Sequence, residues 1–81
     1  MKLIATFYSH FGAVRFVKLC KADGTEAKMM PVPRSLSSSC GTCVSYESSS
    51  LYPAGFVPDE VEQIVEIVDD GYTQLYKAHN S

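Results

Sequence analysis

No tryptophan, no second Cys-x-x-Cys, no phosphate-cradling glycine loop and no long apolar run occur in these 81 residues, and most of these absences remove a class of function. Without a glycine-rich motif of fixed spacing, nucleotide phosphates have no backbone cradle. Without a basic run interleaved with aromatics, a nucleic-acid partner is not expected. The opening MKLIATFYSH carries one lysine and a six-residue apolar-leaning run, too short for a signal peptide or a membrane span. No serine stands with a histidine and an acid in a recognisable arrangement, so hydrolase chemistry is unsupported. Cysteine is scarce and odd in number, three residues without a secretory leader; that predicts reduced thiols in a cytoplasmic protein rather than a disulfide scaffold.

What is present suits one domain spanning residues 1–81, with a thin core. Hydrophobic residues make up 46 % of the chain, enough to leave apolar surface exposed, and a homodimer is as open as a monomer. Charge is uneven. Residues 1–40 hold six of the seven cations against Asp23 and Glu26, and residues 41–81 hold Lys77 against seven acids. Opposite halves of this kind attract a partner or each other, or are two solvated faces of opposite sign.

KLIATFY, Lys2 to Tyr8, is apolar on both alternating faces and reads as a central strand. Ser9 then suits a helix N-cap, and Ala13, Phe16, Val17 and Cys20 recur at helical spacing up to a stop at Gly24. Phe11 falls off that stripe, as an exposed contact would. AKMMPV, Ala27 to Val32, predicts an edge strand because prolines flank its end, and TCVSYE, Thr42 to Glu47, predicts a third strand. Val57, Val61, Ile64, Val65 and Val68 repeat at helical spacing, with Pro58 in the first turn and Gly71 beyond the end, predicting a second helix with a solvated acidic stripe. YTQLYKA, Tyr72 to Ala78, closes as a fourth strand. The order β-α-β-β-α-β predicts an α+β ferredoxin-like plait: a four-stranded antiparallel sheet with two helices on one face. That topology places Cys40 on the same rim as Ser9, His10 and the first helix N-terminus.

The chemistry concentrates in SLSSSCGTCVSY, Ser35 to Tyr46. Cys40 and Cys43 admit four readings. As a redox dithiol the pair lacks the helix N-terminus that stabilises such thiolates, since Cys43 leads into a strand. As a zinc site it needs two more ligands from Cys20, His10 and His79, and an iron–sulfur cluster lacks its fourth cysteine, so no metal or other cofactor is expected. Cys20 itself lies on the apolar stripe of the first helix and reads as core. As one nucleophilic thiol, Cys40 is surrounded by candidates for thiolate stabilisation: Ser37, Ser38, Ser39, the Gly41 amide, Arg34 and the rim that carries Ser9 and His10. Lowering a thiol pKa by two units requires roughly 2.7 kcal/mol of differential stabilisation. The fourth reading is structural, two small hydrophobes opening a strand.

TFYSHFGAVRFVKLCKADG, KMMPVPRSLSSSCGTCV and VEQIVEIVDDGYTQLYK together resemble the small selenium/sulfur carrier protein-like domains. The most specific portion is PVPRSLSSSCG, in which a proline–arginine pair precedes serines ending in Cys-Gly. The resemblance implies a relation in style to TusA-like carriers, which hold sulfur as a cysteine persulfide. It maps the carrier cysteine onto Cys40 and the arginine onto Arg34, with Cys43 outside the pattern. It further implies protein partners, a donor such as a cysteine desulfurase and an acceptor enzyme, and a carrier rather than a freestanding enzyme. A thiol–disulfide redox protein using Cys40 and Cys43, and a noncatalytic interaction module, are the alternatives.

Overall fold

A computed structural model describes residues 1–36, 38–53, 55 and 58–78. Its elements are β1 (Lys2–Phe7), α1 (His10–Ala22), β2 (Glu26–Pro31), β3 (Thr42–Glu47), a 3-10 turn over Pro58–Glu60, β4 (Val61–Val68) and β5 (Gly71–Lys77). All strands are antiparallel in one sheet of order β2-β3-β1-β4-β5. The fold is therefore α+β, with one helix and five strands among the described residues.

The first half follows its local signals. β1 is central and buried from Leu3 to Phe7. Ser9 is extended, and its Oγ accepts the Gly12 N–H at 3.2 Å, satisfying one of the orphan donors of the first helical turn. Gly12 allows a close approach: a Cβ there would stand 3.1 Å from Cβ of Glu60, which would have to give way by a few tenths of an ångström. β2 is an edge strand, as its prolines require.

The predicted second helix is a strand, and the ferredoxin-like plait falls with it. Val57 lies outside the described residues. From Val61 to Val68 the run VEQIVEIV is rich in β-branched side chains, which lose χ1 freedom in helices and pack well on a pleated surface. Its helical appearance comes from a bulge. Thr6 pairs with Gln63 and Phe7 with Val61, so Glu62 is an extra residue on β4. The inserted residue brings Val61 and Ile64 to one face of the sheet, three positions apart, and imitates a helical repeat.

The sheet separates two apolar clusters. On the helix side, Leu3, Ala5, Phe7, Val44, Tyr46, Val61 and Ile64 pack with Ala13, Phe16 and Cys20 of α1. The Phe16 ring meets Phe7 and Tyr46 edge-on, with centroids 5.2 and 5.1 Å away. On the helix-free side Ile4, Cys43 and Val65 form a smaller cluster covered by Met30, Val32, Leu36 and Tyr72. No described helix is long and apolar enough to cross a membrane.

Candidate functional site

The candidate residues lie in the connection from β2 to β3. Ser38 Oγ donates to the Phe7 carbonyl at 3.0 Å, fastening this loop to the end of β1, two residues before the Ser9 cap. From the other side, the Ser39 N–H and Oγ–H both donate to the Glu62 carboxylate, at 2.9 and 2.7 Å. Gly41 then turns the chain at φ +74°, a conformation that costs a residue with a Cβ, and its carbonyl accepts the Val32 N–H at 3.2 Å. The loop is thus held by β1, by β4 and across its own base.

Cys40 sits between these ties, half-buried against the helix-side cluster. Its Sγ–H donates to the Thr42 carbonyl at 3.4 Å, and Ser38 Oγ lies 3.9 Å from the sulfur. The Ser38 hydroxyl has one proton, which the shorter contact assigns to Phe7 O; it becomes a donor to sulfur only by rotating away from that carbonyl.

Cys43 and Cys20 differ from Cys40 in burial. Cys43 is fully buried on the helix-free side, its thiol directed at the Pro31 carbonyl 3.7 Å away. Burial first, and the charge of Cys40 second, push the Cys43 thiol pKa up. Cys20 is core, and burial with a smaller effect of Asp23 raises its pKa to about 11. The two sulfurs of the Cys-x-x-Cys consequently pack on opposite sides of the sheet.

The other candidates form no hydrogen bond with Cys40 among the described residues. Ser9 spends its side chain on the cap, and His10 is an exposed first residue of α1. Arg34 is exposed in the turn after β2 and forms no hydrogen bond or ion pair among the described residues. Ser37 and His79 lie outside them, and no group of three His, Cys, Asp or Glu that could hold a metal occurs within them. The residue that sequence reading missed is Glu62, assigned to a solvated helix face. The β-branched run around it was the available signal for a strand, but its pairing with Ser39 is long-range.

Neither a curated protein nor a solved structure matches the chain. Residues 2–52, which contain β1, α1, β2, the Cys40 loop and β3, match the model of the family described as "Putative Se/S carrier protein-like". That match covers well over half of the sequence, and the chain belongs to this family.

Proposed function

We propose that the protein, as one carrier domain over residues 1–81, holds sulfane sulfur or selenium on Cys40 and relays it between partner proteins. The observation that carries this reading is that Cys40 is the one cysteine of three that is not buried, set in a loop fastened to β1 and β4. Family membership supports the class of cargo. In loading, Cys40 gives up its proton to solvent, and its thiolate attacks the terminal sulfur of a donor cysteine persulfide. The donor's S–S bond breaks and the donor leaves as a thiolate. Cys40 gains a persulfide, and no external oxidant or reductant is consumed. Unloading repeats the exchange with an acceptor thiol.

The carrier's own contribution is to hold an anionic terminal atom. Ser38 supplies a hydroxyl that can turn toward the sulfur, Gly41 supplies a backbone N–H beside it, Ser39 fixes the loop through its two bonds to Glu62, and Arg34 supplies an exposed guanidinium on the same loop. Ser9 and His10, which follow the end of β1 to which the loop is tied, are the further candidates for the binding surface. Turnover belongs to the donor, such as a cysteine desulfurase, and to the acceptor enzyme. A reducing compartment such as the cytoplasm keeps the thiol available.

The test is to mix the reduced protein with a cysteine desulfurase and cysteine or selenocysteine, then record intact masses of wild type, Cys40→Ser and Cys43→Ser. One added sulfur or selenium atom in wild type and Cys43→Ser, absent from Cys40→Ser, is expected. An adduct that requires Cys43, or full function of Cys40→Ser in its cell, moves the reading to the redox protein or the interaction module.

A further inference from the structure

We propose that the outward stripe of α1 formed by Phe11, Val14, Arg15 and Lys18 is the docking face for the protein that delivers sulfur to Cys40, and that this partner presents carboxylates around an apolar side chain. The proposal rests on the carrier reading of Cys40 and names the surface through which it is loaded.

The stripe is not needed by the fold. α1 packs on the sheet through Gly12, Ala13, Phe16 and Cys20, and Phe11 lies off that face with 65 % of its surface exposed, more than any other large hydrophobic residue described. Its ring is nevertheless organised. The Arg15 guanidinium lies 5.1 Å from the ring centroid, and Arg15 Nε is held 3.4 Å from the Glu60 carboxylate. With Val14 and Lys18 these side chains bound a groove of about 260 Å3. An exposed aromatic beside a preorganised arginine is the composition of an interface anchor, and it loses little side-chain freedom on binding.

Charge selects the occupant. α1 carries Arg15, Lys18 and Lys21 and no acid anywhere along its length. Glu60 offsets part of the Arg15 charge, and Lys18 and Lys21 remain exposed and unpaired among the described residues. An acidic surface is the complement. The chain has acids of its own in Glu66, Asp69 and Asp70, and a second copy using them would form a reciprocal pair or a ring, an arrangement that the self-association arm of the test below separates from a different protein. A different protein is the better occupant.

Position supplies the connection to sulfur transfer. Phe11 is in the first turn of α1, four residues after Phe7, and the Phe7 carbonyl is the anchor of the Cys40 loop. A protein seated on the first turn of α1 therefore adjoins the end of β1 to which the loop of Cys40 is tied. Persulfide transfer needs that proximity, because the donor sulfur must come into contact with Cys40 Sγ.

Two sulfur sources separate docking from chemistry. Wild type, Phe11→Ala and Lys18→Glu are loaded either by a cysteine desulfurase supplied with cysteine or by inorganic polysulfide, and the rate of persulfide formation on Cys40 is followed by mass. Both substitutions are at exposed positions. Loading by the desulfurase is expected to slow by about tenfold or more in each variant, and wild-type loading is expected to weaken as ionic strength rises from about 0.05 to about 0.5 M. Polysulfide loading should change by less than about twofold, since it needs no docking face. Equal rates in variants and wild type with the desulfurase overturn the docking face, as does a parallel loss with both sources. Wild type loaded no faster by the desulfurase than by polysulfide also overturns it, and self-association abolished by Lys18→Glu replaces the acidic partner with a second copy. Failure of wild type to load from either source defeats the carrier reading itself, a result distinct from all of these.

Discussion

At the scale of single residues, burial sorts the three thiols more decisively than spacing does. Cys20 and Cys43 have no exposed surface, and both thiol pKa values are raised because a buried thiolate would lose its hydration. Tyr46, whose hydroxyl donates to the Leu51 carbonyl, is raised for the same reason. An unfolded thiol releases its proton from pH 9, whereas folded Cys20 keeps it until about 11, so over that window the native state binds more protons and stability falls as pH rises. The urea midpoint is expected to decrease between pH 8.5 and pH 10.5; a flat profile would contradict the burial of these groups. Thr6 is a further residue-scale feature: its Oγ1 is fully buried and unpartnered among the described residues. It faces the side of the sheet that carries Cys43, its partner in the ladder.

At the scale of elements, the bulge on β4 joins the fold to the site. Glu62 is the residue that the ladder skips, and its carboxylate takes both donors of Ser39. Bulges re-aim side chains in this way next to functional loops. Replacing Glu62 by Ala removes two exposed hydrogen bonds, so the expected loss of stability is small, about 0.5–1 kcal/mol. The larger expected effect is local: alkylation of Cys40 should become faster while Cys20 and Cys43 stay protected, as read by peptide mass after brief labelling. An unchanged Cys40 rate would mean that the loop is held without Glu62. The same element explains why the first helix and the strands predicted over 2–8, 27–32, 42–47 and 72–78 were legible and one element was not. α1 announces itself by a cap, a stripe and a glycine stop, all local. In β4, Val61, Ile64, Val65 and Val68 satisfy a helical repeat as well as a strand interrupted by one residue, and periodicity alone does not distinguish the two.

At the scale of the whole molecule, the sheet acts as a partition. Cys40 packs with the helix-side cluster and Cys43 with the helix-free one, although two residues separate them in sequence. A disulfide between them has to bring both sulfurs to one side of the sheet, against the pairing of Cys43 with Thr6 and Met30. On mild oxidation with glutathione disulfide, native protein is expected to accumulate one glutathione on Cys40, and the two-hydrogen loss of an internal disulfide should appear only after denaturation. Rapid loss of two hydrogens under native conditions would restore the redox-pair reading.

By itself, the sequence determined the central strand, the capped helix, the proline-marked edge strand and the loop that brings Ser38, Ser39, Cys40 and Gly41 together. Those features arise from propensity, capping and turn chemistry, which act between neighbours in the chain. The tertiary structure alone decided that Val61–Val68 is a strand, that Cys43 is excluded from the face of Cys40, and that Glu62 reaches across to Ser39. Each of these depends on strand pairing between residues distant in sequence, and a shift of a single residue in that register reverses which side of the sheet a side chain occupies.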